Sequence, residues 1–312
     1  MKGRASRVAL LAGGVGGAKM AHGFQQILEP GALDVVVNVA DDFELWGLHI
    51  SPDLDTVVYT LAGIADPAHG WGIGGDTHEA LEMLRRLGAP SWFSVGDRDL
   101  ATHVRRTQLL REGRSLTDVT DALRQALGVP LQILPATDQP LRTVLDTDAG
   151  ELDFQTYFVA RGQRDEVQGV RFAGLAEAHP TDAALRAVRE AELVVLAPSN
   201  PIVSIAPILE LPGMREAVTS ARSIAISPIV AGRALKGPAD RMLASLGHDT
   251  SALGVARLYA GLLDAFVLDD ADAALAPAVE ALGMRALVLP TVMRTDADRA
   301  ALASAVLDAM AG

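Results

Sequence analysis

The sequence predicts an α/β fold, a parallel sheet with helices on both faces. Short apolar runs bounded by glycine, proline or acidic residues alternate with helical stretches over most of the chain. The first run, Val8 to Ala12, carries no polar residue, as expected of a strand covered on both sides. The unusual polar residues gather just past the ends of these runs, where an open parallel sheet binds its ligands.

The first run enters Gly13-Gly14-Val15-Gly16-Gly17-Ala18-Lys19. Glycine brings backbone N–H groups close to a ligand because it has no Cβ, and a turn leading into a helix N-terminus is an anion site. The spacing differs from G-x-G-x-x-G, and the lysine lacks the Ser or Thr of a P-loop. We therefore read Gly13, Gly14, Gly16, Gly17 and Lys19 as candidate phosphate contacts. A turn that needs small residues only for packing is the alternative.

A helix is expected over 18–28, then a buried strand, Asp34 to Val39, ending in Asp41-Asp42. Asp53-Leu54-Asp55-Thr56 opens a helix that runs to about 64. Residues 77–87 form the next helix, with Thr77 as its cap. Ser91 to Val95 is expected as a third strand, ending at Gly96-Asp97-Arg98-Asp99. Helices follow at about 99–112 and 116–127, the latter capped by Ser115 or Thr117. A short strand at 131–134 and a hairpin of 142–145 with 152–158 break the alternation. We read residues 99–180 as a smaller inserted α+β subdomain of helices and a β-hairpin, within one domain spanning 1–312. Alternation returns with helix 181–191, strands 193–197 and 223–226, and helices 238–246 and 251–262. Strand 265–268, helix 271–282, strand 286–289 and helix 296–310 close the chain.

The 312 residues suffice for a sizeable core, and 49% are hydrophobic. No apolar run reaches membrane-span length, and the N-terminus lacks a signal-peptide pattern. The absence of cysteine excludes disulfides and thiolate chemistry and fits a cytoplasmic enzyme. A net charge of −12 argues against nucleic acid as a partner, so a phosphate ester would need local neutralisation.

Carboxylates without nearby cysteine or histidine suit a hard cation held by oxygens, so Asp41, Asp42 and Asp55 are candidate Mg²⁺ ligands. Asp55 as a helix cap is the plainer reading. Arg98, just past a strand, could grip a phosphate in fork geometry or pair with a neighbouring acid. Ser199 and Asn200 lie between two prolines and could read the edge of a purine base. His49 and His103 are read as structural, Trp92 as core, and Trp46 and Trp71 as rim residues.

Taken together, GGVGGAK (13–19), VVVNVADD (35–42), SPDLDTVVYTL (51–61), GDRDLATH (96–103), LREGRSLTDVT (110–120), LAPSNPIVSI (196–205) and SPIVAG (227–232) resemble the 2-phospho-L-lactate transferase family. The resemblance spans nearly the whole chain. It implies a Rossmann-like core with an inserted subdomain, a homodimer, and Mg²⁺ as cofactor. It implies transfer of a phospholactyl or phosphoenolpyruvyl group from a guanosine diphosphate-linked donor to the deazaflavin 8-hydroxy-5-deazariboflavin, releasing GMP, in coenzyme F-420 biosynthesis. By motif, the deazaflavin contacts fall on Asp55 and Arg98, and the metal acids among Asp41, Asp42 and Asp55. A non-catalytic nucleotide-sugar or dinucleotide-binding regulator of related fold is the competing class, and GDRDLATH and PDLDT speak against it. A dinucleotide oxidoreductase is disfavoured by the missing fingerprint.

Overall fold

The computed structural model describes residues 7–311. β1 (Val8–Ala12) leads into α1 (Gly14–Gln25), and β2 (Leu33–Val37) follows. A small hairpin of β3 (Phe43–Leu45) and β4 (Leu48–Ile50) precedes α2 (Pro52–Leu61), α3 (Glu79–Arg86), α4 (Asp97–Arg111) and α5 (Leu116–Ala126). β5 is Gln132–Pro135. β6 (Arg142–Thr147), β7 (Gly150–Asp153) and β8 (Val167–Ala173) form a separate antiparallel sheet. After α6 (Asp182–Glu190) come β9 (Leu193–Leu196), α7 (Ala206–Leu209), α8 (Met214–Ser220) and β10 (Ser223–Ile226). β11 (Ile229–Val230) and β12 (Arg233–Ala234) make a two-stranded excursion. α9 (Ala239–Ser245), α10 (Ala252–Leu258), β13 (Ala265–Leu268), α11 (Ala276–Glu280), β14 (Arg285–Val288) and α12 (Asp296–Met310) complete the chain.

Seven strands form the central sheet in the order β14-β13-β10-β9-β1-β2-β5, parallel at every pairing. Alternate residues of β1 serve opposite layers, because side chains along a strand point to opposite faces. Val8, Leu10 and Ala12 pack with Phe24 of α1, Val57 of α2 and Val306 of α12. Ala9 and Leu11 pack with Val188 of α6, Val218 of α8 and Val255 of α10. Double coverage explains the unbroken apolar run, and the expected fold class holds. Among the described residues no helix is long and apolar enough to cross a membrane.

Four local expectations are corrected. Ser91–Val95 is not a strand. Its aromatic side chains instead cover the β3–β4 hairpin, with Phe43 and Phe93 ring centroids 4.9 Å apart. Residues 131–134 belong to the main sheet, since β5 pairs with β2 along its length. The span 99–180 is thus divided. α5 packs on β5 beside the main sheet, and only β6–β8 stand apart. The second hairpin strand stops at Asp153, whose carboxylate accepts the Thr156 N–H and hydroxyl and turns the chain into a helical turn. Thr77 does not cap α3. Its hydroxyl donates to Asp97, which takes the Glu79 and Ala80 N–H groups in its place. Ser115 caps α5 as expected, accepting the Asp118 N–H at 3.0 Å.

Candidate active site

β2 and β9 flank β1 on opposite sides, so the chain departs in opposite directions from the sheet at β1. That is where open α/β sheets leave a crevice beyond the strand ends. The glycine turn fills it. Gly14 adopts φ +59°, which favours glycine. A Cβ on Gly13 would stand 2.7 Å from Asp53 Oδ2. One on Gly16 would stand 2.1 Å from the Pro198 carbonyl, and one on Gly17 2.8 Å from Ala12 Cβ. The packing reading of the turn therefore accounts for Gly13, Gly16 and Gly17.

Helix geometry leaves the N–H groups of Gly13, Gly14, Val15 and Gly16 without intrahelical acceptors. Gly13 N–H donates to Ser199 Oγ at 3.2 Å and Gly14 N–H to Asp53 Oδ1 at 2.8 Å. An anion here would meet chiefly Val15 and Gly16, fewer donors than the glycine content suggests.

A prediction follows from the difference between Gly14 and Gly16. Gly16→Ala drives a methyl into backbone and is expected to cost at least about 1–3 kcal/mol. Gly14→Ala has room around it and is expected to cost about 1–2 kcal/mol through its φ alone. Thermal denaturation of the two variants checks this. Equal melting temperatures for Gly16→Ala and the parent would refute it.

Beside the turn lie three buried carboxylates. Asp41 and Asp42 follow β2, and Asp53 projects from the first turn of α2. Asp53 accepts from Asn38 Nδ2 at 3.0 Å with the oxygen that Gly14 leaves free. Asp42 Oδ2 accepts from His49 Nε2 at 2.9 Å and Ser51 Oγ at 2.8 Å. Asp42 Oδ1 and Asp41 Oδ1 have no hydrogen-bond partner, although both are buried. Burial, then the charge of Asp53, pushes Asp41 well above the usual carboxylate range. Burial pushes Asp53 up to about 6, against the hydrogen bonds from Asn38 and Gly14. Asp41 feels the charges of Asp53 and Asp42, and the orphaned oxygens of Asp41 and Asp42 suit a hard cation. The oxygens of the three acids do not all fall within 4.8 Å of one another, unlike the ligand atoms of Asp55, Asp99 and His103. Thr143 of β6 reaches the same place, its N–H on the Ala40 carbonyl at 2.7 Å and its buried hydroxyl beside Asp41, whose pKa it lowers against burial.

Asp55 is not a cap, because α2 begins three residues earlier, at Pro52. Its carboxylate points to α4 and accepts from Arg106 with both oxygens, Oδ2 at 3.0 Å from Nη1 and Oδ1 closer still to Nη2. Arg106 Nη1 also donates to His103 Nδ1 at 3.2 Å. His103 Nε2 then faces Asp99 Oδ1 at 3.4 Å, and Asp99 accepts the Tyr59 hydroxyl at 2.7 Å. This network lies sealed between α2 and α4. Arg106 is 2% exposed and Asp55 6%. Ligand atoms of Asp55, Asp99 and His103 fall within 4.8 Å of one another, yet Arg106 already supplies the neutralising charge.

The remaining candidates are spread around the rim. Arg98 is exposed, donates through Nη2 to the Gly74 carbonyl at 2.6 Å, and pairs with Asp76. Lys19 is half-buried and donates to the Met293 carbonyl at 3.0 Å; burial, then Arg299 and Lys236, lowers its pKa. Ser199 Oγ both accepts from Gly13 and donates to its carbonyl, so it fastens β9 to the turn. Asn200 Oδ1 accepts the Ile202 and Val203 N–H groups, leaving its Nδ2 against Met242 Sδ at 3.5 Å. The structure thus brings Gly13, Gly14, Asp53 and Ser199 into one cluster, with Asp41 and Asp42 beside it. Asp55 sits in a separate network, and Arg98 and Lys19 make their own contacts. Sequence reasoning passed over Asp53, Asn38 and Arg106. Asp99, His103 and Arg106 do follow helical spacing along α4, a polar stripe on a buried face.

A model of the family described as 2-phospho-L-lactate transferase CofD matches residues 8–289. A 2-phospho-L-lactate transferase of Methanosarcina mazei is 38% identical over 300 residues, 96% of this chain and 99% of that one. A phosphoenolpyruvate transferase of Streptomyces griseus is 40% identical over 303 residues, 95% of each chain. A crystal structure of a upf0052 family member from Bacillus halodurans superposes with TM-score 0.61 at 15% identity, over 97% of this chain and 98% of that one. That likeness speaks to fold alone. By the family match and by two near full-length relatives, the chain belongs to the 2-phospho-L-lactate transferase CofD family.

Proposed function

We propose that this chain transfers a phospholactyl or phosphoenolpyruvyl group from a guanosine diphosphate-linked donor to 8-hydroxy-5-deazariboflavin, releasing GMP, as a step in coenzyme F-420 biosynthesis. Family membership supports the transferase class. The observation that carries the reading is the buried Asp41, Asp42 and Asp53 group with two orphaned oxygens, beside the glycine turn. Acids there would repel a diphosphate unless a cation came with it, so the site is one for a metal–diphosphate pair.

We assign Asp41 and Asp42 as the Mg²⁺ ligands, with Asp53 beside them, and leave Asp55 out of the set because Arg106 holds both its oxygens. Bound Mg²⁺ would neutralise the diphosphate and the departing phosphate. The Val15 and Gly16 N–H groups, at the positive end of α1, would take the remaining oxygens. The terminal ribityl hydroxyl attacks the phosphorus that carries the three-carbon group, and the P–O bond to GMP breaks. Positioning and charge neutralisation suffice for such a transfer. Arg98 is the residue we place at the acceptor, its planar fork suited to a phosphoryl or ring oxygen. Asp55 acts from beneath, by fixing α2 against α4. The same reading makes the protein a cytoplasmic homodimer.

Mass spectrometry of the deazaflavin after incubation with guanosine diphosphate-linked lactate, enolpyruvate and glycerate tests the proposal. One donor is expected to give the corresponding mass increase with equimolar GMP. No adduct from any of them would reject it. Guanine selectivity is a further expected result, resting on the rigid Ser199-Asn200-Pro201 turn and on Asn200 Nδ2. GDP is expected to bind at least about tenfold more tightly than ADP, roughly 1.4 kcal/mol. Equal calorimetric affinities would remove base reading from the account.

A further inference from the structure

Arg98 is anchored in a way that its surroundings do not require. The Asp76 carboxylate, 5% exposed, accepts the backbone N–H groups of Arg98 and Asp99 at 3.0 Å each and the Thr77 N–H at 2.9 Å. It also meets Arg98 Nε at 3.4 Å, while the Gly74 carbonyl takes Nη2 at 2.6 Å. Asp76 thereby serves α4 as the cap that Gly96 cannot be, since glycine has no side chain. Gly96 gives it room, because a Cβ there would stand 2.2 Å from Asp76 Oδ2. The hydrogen bonds of these N–H groups outweigh burial and hold Asp76 below the usual carboxylate range, so it is ionised.

Asp97 provides the comparison. It caps α3 in the reverse direction, with Thr77 Oγ1 at 2.6 Å and Ala80 N–H at 2.9 Å, and it touches no guanidinium. The two acids cross between α3 and α4 as a reciprocal clasp. Only one of them extends its grip to a long cationic side chain. An exposed arginine held at two points gives up rotamer entropy that a surface ion pair scarcely returns. Such fixing is useful when the guanidinium must be waiting in one place. The loop that supplies Gly74 also reaches the glycine turn, because a Cβ on Gly70 would stand 2.7 Å from Val15 Cγ1. The same loop thus contacts the first turn of α1 at one end and Arg98 at the other.

We propose that Asp76 is a positioning residue for the transfer, holding the Arg98 guanidinium with the Gly74 carbonyl so that it meets the acceptor preformed. This rests on the placement of Arg98 at the acceptor. Asp76→Asn separates positioning from capping. Asn keeps one oxygen for the α4 N–H groups and so retains part of the cap, while the charge facing Arg98 is lost.

The experiment is steady-state kinetics with varied deazaflavin, beside GDP calorimetry and melting. Asp76→Asn is expected to raise the acceptor KM about tenfold with GDP affinity close to that of the parent, and to lower the melting temperature no more than Asp97→Asn, which loses an acceptor oxygen of the same kind. On an Arg98→Ala background it should add less than about a twofold further loss, because the two act as one unit. Asp97→Asn, which breaks the other half of the clasp, should leave the acceptor KM within about twofold. An unchanged KM in Asp76→Asn, losses that multiply with Arg98→Ala, or an equal KM rise in Asp97→Asn would each overturn the inference. If Arg98→Ala itself leaves acceptor kinetics unchanged, the placement of Arg98 fails and the inference with it. If Arg98→Ala raises KM and Asp76→Asn does not, the inference alone fails.

Discussion

Arg106→Met is expected to lower the unfolding free energy by about 3–5 kcal/mol, the usual cost of stranding one partner of a buried ion pair. The side chain is 2% exposed and is the bidentate partner of Asp55. Met fills much of the same volume, so lost packing is the smaller part of the effect. What remains is a carboxylate enclosed between α2 and α4 without a cation. Burial already acts to raise the Asp55 pKa, with Arg106 opposing it. Without Arg106 the folded-state pKa rises further above the unfolded value. The penalty is then absent at pH below the unfolded pKa and grows as pH climbs toward the folded one. The gap between parent and variant should therefore widen from acid to neutral pH. Asp55→Leu combined with Arg106→Met removes both charges and should recover most of the loss. Urea denaturation across pH reads all three proteins. A single-variant loss below about 1 kcal/mol at neutral pH would mean the pair is not buried as described.

The second large effect is on turnover. Asp42→Asn is expected to cut transfer at least about a hundredfold and to shift the Mg²⁺ requirement upward. Asn keeps an oxygen for His49 and Ser51, the two donors on Oδ2, so the local structure has no reason to change. Melting should stay near the parent or rise, because one of three crowded carboxylates is neutralised. Asp41→Asn should behave alike, and the double variant should lose less than the product of the two, as expected of ligands sharing one ion. Turnover measured against Mg²⁺ concentration decides it. Wild-type turnover of Asp42→Asn at limiting Mg²⁺ would take this acid out of the site.

Much of the fold is legible in the chain because the central strands are covered on both faces. Their runs stay apolar throughout, and β10, β13 and α12 lie at the positions read from sequence, 223–226, 265–268 and 296–310. Elements that depend on remote partners are harder to read. Ser91 to Val95 has the composition of a strand, but its aromatic residues are partly buried against the β3–β4 hairpin rather than held in a ladder. β5 follows β2 only after a long crossover holding four helices, so it looked detached from the sheet it borders. α7 and α8 are too short to show a period.

At the site, the strand-end rule located the glycine turn and Asp41-Asp42. It could not show that Ser199 and Asp53 already occupy two of the turn's N–H groups. Asp53 read as one acid of a helix start, and its pairing with Gly14 and Asn38 exists only in three dimensions. Arg106, three residues beyond the recognisable GDRDLATH motif, is the partner of Asp55 across 51 residues.

We propose that a divalent cation and a nucleoside diphosphate meet at the buried acids Asp41, Asp42 and Asp53 beside the glycine turn. Calorimetric titration of GDP into the protein, with Mg²⁺ and then with a chelator, tests it most directly. GDP is expected to bind at least about tenfold more tightly with Mg²⁺, roughly 1.4 kcal/mol, because a cation there would offset the repulsion between the buried acids and the diphosphate. Identical GDP affinity in Mg²⁺ and in chelator would contradict it.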